Sequence, residues 1–145
     1  MSQKTDFDLQ NFLPYLLNQA AEESSLAFQK VYKDRYGMLR TEWRVLFHLG
    51  IYGRMSAKEI GQRSKMHKTK ISRAVARLEE RRFLTRQASE EDRRLEYLQL
   101  TQQGQAAYRD LLEVAERYDS QLTAALTPEE VVGLRALLRK LAGMG

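Results

Sequence analysis

The chain has 145 residues, a net charge of +5 and 43% hydrophobic residues, enough apolar content to form a core and to argue against disorder. It contains no cysteine, which excludes disulfides, thiolate metal sites and thiol-based redox sensing. The first residues lack the apolar core of a signal peptide, and no stretch is apolar for long enough to span a bilayer. We therefore expect a cytoplasmic protein with no membrane segment.

The basic residues are concentrated in one segment of the chain. Residues 58–94 contain 12 Lys or Arg and six Asp or Glu, a net charge of +6. The other 108 residues carry a net charge of −1. This concentration favours an acidic partner such as nucleic acid, which the positive segment would attract.

The spacing of apolar residues predicts helices, then two strands, then helices again. Pro14 is expected in or near the first turn of the first helix, where its missing N–H costs little. Gly50 and Gly53 are expected to bracket the turn after the second helix. The predicted helices cover residues 11–35, 42–49, 57–64, 68–81 and 102–126, with a last helix from residue 128, and the predicted strands cover residues 84–87 and 95–100.

Four helix starts carry capping signals. Thr41 and Thr101 are predicted N-caps of the second and fifth helices, because a threonine oxygen can accept a hydrogen bond from a free backbone N–H. Ser56 and Thr127 are each followed three residues later by Glu, the pattern of a capping box.

Two short helices joined by a tight turn and followed by a hairpin define a winged helix-turn-helix. The predicted fold is mainly α with a small β-hairpin wing. Apolar stripes on the outer helices need partners, so these helices are predicted to dimerise. We divide the chain into an N-terminal dimerisation helix (1–36), a DNA-binding domain (37–100) and C-terminal dimerisation helices (101–145), all in one compact chain.

The fourth helix is predicted to read DNA. When its apolar residues face the core, the opposite face carries Thr69, Arg73 and Arg77, with Lys70 and Ser72 on the flanks. Arginine can bond guanine edges in pairs, and Ser or Thr can bond bases or phosphates. This face therefore suits a major groove.

The first turn of that helix is crowded with basic residues. His67, Lys68 and Lys70 lie where the helix macrodipole disfavours cations. A bound phosphate would reverse this preference, because the N-terminal amides and the cations would share one anion. The alternative is a solvated run of charges with no ligand.

The hairpin loop is predicted to place Arg93 and Arg94 in the minor groove, where arginine meets concentrated negative potential. Asp92 is expected to hold the guanidinium of Arg94, and Glu90 and Glu91 to point away from phosphates. The alternative is a solvated turn. The complete set of residues predicted to contact DNA is Ser56, His67, Lys68, Thr69, Lys70, Ser72, Arg73, Arg77, Arg86, Asp92, Arg93 and Arg94.

Three stretches carry a family resemblance: TEWRVLFHLG, MSAKEIGQRSKMHKTKISRAVARLEERRFL and EDRRLEYLQLTQQG. The last contains an Asp-x-Arg wing at Asp92 and Arg94 and a Leu-Thr-x-x-Gly pattern at residues 100–104. Together with the outer helices, including FLPYLLN near the start, they resemble the MarR family of bacterial transcriptional regulators.

The resemblance implies a triangular homodimer whose terminal helices interlock and whose two winged domains reach successive major grooves. A two-fold dimer of this kind reads a pseudo-palindromic operator in double-stranded DNA with half-sites roughly 10 base pairs apart. Members of the family usually repress, and many release DNA when a small, often aromatic or phenolic, anion binds.

Two positions depart from the family pattern. The family usually has Gly at the position of Arg82, and a left-handed arginine there would cost about 1 kcal/mol, so we expect the fourth helix to end differently. The family usually has Asp or Ser at the position of His67, which weakens the predicted cap and leaves the start of that helix open.

The resemblance also implies an effector site where the dimerisation helices meet the winged domain. In the hypothesis, Arg44 pairs with an effector carboxylate while Trp43 and Phe47 hold its ring. The alternative is that both aromatic residues belong to the core and Arg44 makes an internal salt bridge. The candidate lining residues are Tyr15, Asn18, Trp43, Arg44, Phe47 and His48.

Other functions have weaker support. The chain has two histidines, His48 and His67, in separate elements, and no nucleophile motif or glycine-rich phosphate loop. We therefore expect no enzyme, no metal site and no cofactor. Two alternatives to a specific repressor stay open: an architectural or anti-silencing DNA binder without an effector, and a winged-helix adaptor that binds protein.

Overall fold

The computed structural model describes residues 6–144. Within this range, six α-helices and one two-stranded antiparallel sheet follow a 3₁₀ turn at Leu9–Asn11. This confirms the predicted fold class, mainly α with a hairpin wing. The elements are α1 (Leu13–Tyr36), α2 (Arg40–Tyr52), α3 (Ala57–Ser64), α4 (Lys68–Glu80), β1 (Leu84–Ala88), β2 (Glu96–Leu100), α5 (Gln102–Leu122) and α6 (Pro128–Leu141).

The chain divides into two compact units, residues 1–108 and 109–145. The first unit contains α1 to α4, the hairpin and the first turns of α5, and the second contains the rest of α5 and α6. The segment boundaries predicted at residues 36 and 100 concern function, and they stay a prediction.

The core of the first unit is formed by apolar side chains from α1 to α4 and from one face of the hairpin. α3 and α4 contribute the faces that their apolar spacing predicts, since burial of such a stripe from water stabilises an amphipathic helix. α2 contributes Val45, Leu46 and Leu49, and α1 contributes Tyr32, while much of the predicted stripe of α1 is exposed. The largest fully buried apolar side chains of this unit are Tyr32, Met38, Val45, Leu46, Leu49, Ile60, Val75, Leu78, Leu84 and Leu98.

The hairpin is attached to the helices through a short additional pairing. β1 and β2 pair antiparallel, with Leu84 opposite Leu100 and Ala88 opposite Glu96. Met55, just before α3, pairs with the middle of β2: its N–H donates to the Leu98 carbonyl at 3.2 Å and its carbonyl accepts from Leu98 at 2.7 Å. The base of the wing is therefore fixed to the start of the helix-turn-helix.

Three predicted helix starts are confirmed. The Ser56 hydroxyl accepts from the Glu59 N–H at 3.2 Å. Thr127 and Glu130 form a reciprocal capping box, with hydrogen bonds of 3.1 and 2.9 Å. The Thr101 hydroxyl accepts from the backbone N–H three residues later at 3.0 Å.

The predicted start of the second helix is wrong. α2 begins at Arg40 with Leu39 as its N-cap, so Thr41 lies inside the first turn and caps nothing. Leu39 has no side-chain acceptor, so only the return bond of a capping box is present, made by the carboxylate of the third residue. Glu42, whose exposure is only 1%, accepts a hydrogen bond from the Leu39 N–H at 3.1 Å.

Two predicted helix ends are also wrong. α2 continues through Gly50 to Tyr52. Gly50 is therefore not a turn residue, and another part of the chain packs closely against it. A Cβ on Gly50 would overlap the ring of Tyr108. α5 ends at Leu122, and residues 123–126 form a turn rather than a further helical turn.

Candidate nucleic-acid interface

The outer face of α4 is exposed and polar. Ile71, Ala74, Val75 and Leu78 are buried on its inner face, as their spacing predicts. The opposite, exposed face carries the residues that we call the recognition face: Thr69, Ser72, Arg73, Ala76 and Arg77.

The start of α4, which the sequence left open, lies at Lys68, the first residue of the predicted helix. His67 is the N-cap, and its Nδ1 accepts a hydrogen bond from the Thr69 N–H at 3.2 Å. An imidazole nitrogen thus takes the place of the carboxylate or hydroxyl oxygen usually found at an N-cap. Lys68 and Lys70 are exposed beside it, so three basic residues surround one helix N-terminus.

The expectation that α4 ends differently from the family pattern is wrong. Arg82 adopts the left-handed conformation, with φ +66°, although it is not glycine. The Arg82 N–H donates to the Glu79 carbonyl at 2.9 Å, and the Phe83 N–H donates to the Leu78 carbonyl at 2.8 Å. These two bonds form a Schellman motif, which satisfies the last carbonyls of the helix.

The residue before this motif joins α4 to α1. Arg81 Nη1 donates to the carbonyl of Gly37 at 2.9 Å, and Gly37 is the left-handed C-cap of α1. A Cβ on Gly37 would lie 2.5 Å from the Arg81 guanidinium. Only glycine therefore fits here without moving the arginine.

The wing tip is closed by two short polar side chains. The Ser89 hydroxyl accepts from the backbone N–H groups of Glu91 and Asp92, at 3.2 and 3.3 Å. Asp92 Oδ1 accepts from the backbone N–H of Arg94 at 3.0 Å, not from its guanidinium as predicted. The correction follows from geometry, because an Asx turn brings the N–H two residues later within reach. Arg93 and Arg94 are exposed.

Two residues predicted to contact DNA have partners inside the fold. Ser56 is only 6% exposed, and its hydroxyl caps α3. Arg86 donates to Glu79 Oε1 at 3.0 Å and to Glu96 Oε2 at 3.4 Å. Burial lowers the pKa of Arg86, but the hydrogen bonds and charges of the two carboxylates outweigh it and raise the pKa overall. We therefore leave both residues out of the contacts proposed below.

Sequence reasoning missed Arg54 as a support of the wing. Its guanidinium lies over the ring of Tyr97, 4.6 Å from the centroid, a cation–π contact between the turn after α2 and the outer face of β2. An arginine beside an aromatic strand is a weak signal in the sequence, because 43 residues separate the pair.

The candidate effector residues fall into different environments. Trp43 and Phe47 pack edge to face at 5.2 Å, and both also contact Phe28. The same cluster includes Tyr32 and Tyr108. Both aromatic residues are thus part of a packed cluster on α1, α2 and the start of α5, and both are half-buried.

The polar candidates on α2 are engaged within the chain. Arg44 Nη2 donates to the Ser64 carbonyl at 2.6 Å, so it satisfies the end of α3 instead of forming a salt bridge. His48 Nδ1 lies 2.6 Å from the Arg44 carbonyl. On α1, Tyr15 is half-buried and Asn18 is exposed. Their predicted role in ligand binding stays a prediction.

Two ionisable groups of this region have shifted pKa values. Burial lowers the pKa of Arg44, and repulsion from Arg40, one turn earlier in α2, lowers it further. Burial raises the pKa of Tyr32, although the charge of Arg40 and hydrogen bonds from Arg40 and Trp43 offset part of this effect.

Within residues 6–144, no helix is both long and apolar enough to cross a membrane. The same residues contain no group of three His, Asp or Glu side chains arranged to hold a metal ion.

An exposed basic helix, a preceding helix and an arginine-tipped hairpin define a winged helix-turn-helix protein of the DNA-binding class. Residues 36–95 match the family model described as MarR family. The solved MarR/EmrR family transcriptional regulator from Acinetobacter sp. ADP1 is 26% identical, with a TM-score of 0.85 over 94% of this chain and 96% of that one. Over these residues and in its fold, the chain is similar to the MarR-family transcriptional regulators.

Two further relatives have names that state a function. The homoprotocatechuate degradative operon repressor of Escherichia coli is 27% identical over 92% of this chain and 89% of its own. Bordetella bronchiseptica BpsR, whose DNA binding is regulated by 6-hydroxynicotinic acid, shares the fold, with a TM-score of 0.86, 23% identity and coverage of 95% and 98%. These relatives are transcriptional regulators, not enzymes.

Proposed function

We propose that this protein is a homodimeric, sequence-specific repressor that a small aromatic acid releases from DNA. The observation that carries the proposal is the recognition face of α4, a continuous exposed surface that combines two arginines with small residues. Ala76 leaves room for the helix backbone to approach a base pair, and Arg73 and Arg77 can each reach a guanine edge.

The remaining contacts are assigned by position. His67, Lys68 and Lys70 hold a phosphate at the N-terminus of α4, where helix amides point at the same anion. Arg93 and Arg94 enter the adjacent minor groove. Thr69 and Ser72 bond bases or phosphates beside the two recognition arginines.

Dimerisation is supported by exposed apolar residues at both ends of the chain. Leu137 and Leu141 on α6 are each 61% exposed, and a folded monomer rarely leaves such a continuous apolar face in water. A second copy of the chain would cover these faces. The exposed apolar residues of α1 and α6 include Leu13, Leu16, Leu17, Leu26, Leu134, Leu137, Leu138 and Leu141.

The proposed effector is a hydroxylated aromatic acid, by analogy with the compounds named for the two relatives. Trp43 and Phe47 offer ring faces, and Asn18 offers an exposed amide on α1. Arg44 holds the Ser64 carbonyl through Nη2 alone, so its other N–H groups can bind an effector carboxylate, which would then pull on the guanidinium that satisfies the end of α3. A ligand that prefers this arrangement shifts the population away from the DNA-binding state.

The first experiment is selection of bound duplexes from a random DNA pool at near-physiological salt. We expect an inverted repeat with half-sites roughly one helical turn, about 10 base pairs, apart. Recovery of no motif, with binding that fades at moderate salt, would favour the architectural DNA binder. Absence of binding would favour the protein-binding adaptor.

The effector is tested on the selected duplex with 6-hydroxynicotinic acid and homoprotocatechuate. We expect one of these acids to raise the Kd for the duplex, and Asn18→Ala to reduce this response. Gln19→Ala, an exposed polar residue next along α1, is the matched control and keeps the full response. Equal Kd values with and without both acids would contradict release by this class of compound.

A further inference from the structure

The inner face of the hairpin changes character along its length. Because side chains alternate along a strand, Leu84 and Arg86 of β1 point to the same side as Glu96 and Leu98 of β2. Near the helices this side is apolar and buried. Toward the wing tip it continues with Arg86, an arginine at a position where the alternation predicts an inward-facing side chain.

Arg86 makes its two contacts with different elements. Glu79, which accepts from Nε, lies on α4 two residues after Arg77. Glu96, which accepts from Nη1, is the first residue of β2 and lies two residues after Arg94. One guanidinium therefore connects the recognition helix with both strands, including the strand that leaves the wing tip.

We call Arg86, Glu79 and Glu96 the Arg86 clamp. All three side chains are only partly exposed. The side-chain exposures are 34% for Arg86, 43% for Glu79 and 52% for Glu96. A single exposed ion pair contributes little, but the planar guanidinium with two separate acceptors fixes an orientation as well as a distance. The raised pKa of Arg86 agrees with this double pairing.

We propose that Arg86 is a positioning residue, and that the Arg86 clamp holds the wing tip at the angle from α4 at which Arg93 and Arg94 reach the minor groove while the recognition face lies in the major groove. The inference rests on the proposed DNA-binding function. In this proposal Arg86, the arginine nearest the base of the wing, orients the wing and does not contact DNA.

The competing assignment, a direct contact between Arg86 and DNA, predicts the opposite result. If Arg86 binds phosphate, removal of its two carboxylate partners frees it and strengthens DNA binding. If Arg86 positions the wing, the same change loosens the hairpin and weakens DNA binding. The sign of the effect therefore separates the two roles.

The experiment compares Glu79→Ala/Glu96→Ala with Glu80→Ala/Glu91→Ala, which removes the same charge from α4 and the wing but leaves the clamp intact. Kd is measured by fluorescence anisotropy on the selected duplex, with and without Arg94→Ala. We expect Arg94→Ala to raise Kd about tenfold in the wild type and in the control. In the variant without the clamp we expect Arg94→Ala to raise Kd by about twofold or less, because a wing that is not held in place already makes little contact with DNA.

The clamp variant itself is expected to bind more weakly than the charge-matched control. Stronger binding than the control, or an equal Arg94→Ala effect in every background, would overturn the inference and leave DNA binding itself intact. Failure of the wild type to bind any duplex would instead overturn the proposed function, and the inference with it. Should circular dichroism show the double variant unfolded, Glu96→Ala alone breaks the strand arm of the clamp and gives the same comparison.

Discussion

At the scale of single residues, Arg82 retains a strained backbone because its neighbours are already fixed. Phe83 and Leu84 are buried directly after it, and the Thr101 hydroxyl donates to its carbonyl at 2.6 Å. Any other conformation at Arg82 would move these contacts. The left-handed conformation, which the sequence argued against, is therefore imposed by the residues that follow.

Arg82→Gly is expected to stabilise the protein by about 1 kcal/mol, because glycine adopts the left-handed conformation without steric cost. Urea denaturation measures the change in the free energy of unfolding. Arg82→Ala removes the same charge but keeps the Cβ and is expected to leave most of the strain. Equal stabilisation by both variants would show that charge, and not backbone conformation, is responsible.

Substitutions of Arg73 and Lys70 are expected to weaken DNA binding in different ways. Arg73→Ala should flatten the base preference at one position of the half-site, because it removes a base contact worth about 1–3 kcal/mol. Lys70→Ala should weaken binding to all duplexes and reduce the salt dependence by about one counterion per half-site. Binding to specific and random duplexes across a salt series measures both. Equal loss on random DNA for Arg73→Ala would reduce its role to a phosphate contact.

At the scale of elements, the backbone just before β1 packs directly against the backbone at the start of α5. Gly104 makes this possible, because a Cβ there would overlap the carbonyl of Phe83. The Thr101 N–H also donates to that carbonyl at 3.0 Å. The Leu-Thr-x-x-Gly pattern at residues 100–104 thus has a physical basis, an N-cap followed by a glycine that admits a neighbouring chain segment.

Gly104→Ala is expected to destabilise the protein by about 2 kcal/mol or more, since rigid backbone atoms cannot move aside as a flexible side chain can. Thermal or urea unfolding measures the effect. Gly133→Ala in the middle of α6 is the comparison: nothing lies within 4 Å of its Cβ, and helix propensity favours alanine by about 1 kcal/mol. A loss of stability in Gly133→Ala alone would contradict this account.

Element by element, the sequence predicts what depends on neighbours within about one turn. The caps at Ser56, Thr101 and Thr127 were recognisable because donor and acceptor lie three residues apart. The start of α2 is not recognisable in this way, because Leu39 has no side-chain acceptor and Glu42 supplies only the return bond of a capping box, from the Leu39 N–H.

Partners that are distant in sequence explain the rest of the differences. Arg44 and the Ser64 carbonyl are 20 residues apart, and no spacing rule links them before the helices pack. Gly50 reads as a turn residue until the ring of Tyr108 is placed against it. For the same reason, the sequence alone does not distinguish Arg86 from the other basic residues of the segment 58–94.

At the scale of the whole molecule, the apolar faces of the terminal helices matter most for the proposed dimer. Leu137→Glu places a charge on the apolar stripe of α6 and is expected to yield a monomer, because a buried unpaired carboxylate is costly. Analytical ultracentrifugation measures the oligomeric state. Ala136→Glu makes the same charge change about 100° away around the helix and should leave the dimer intact. A dimeric Leu137→Glu variant would place the interface elsewhere.

The hydrogen bond from Arg81 to Gly37 has a genetic consequence. Neither residue belongs to the recognition face or to the candidate effector residues, yet any side chain at position 37 displaces the arginine that joins α1 to the recognition helix. A screen for derepressed mutants should therefore recover substitutions of Gly37 alongside those of Arg73 and Arg77. The mutational target of this regulator then includes a glycine that ends α1 in a left-handed conformation and leaves space for a neighbouring guanidinium.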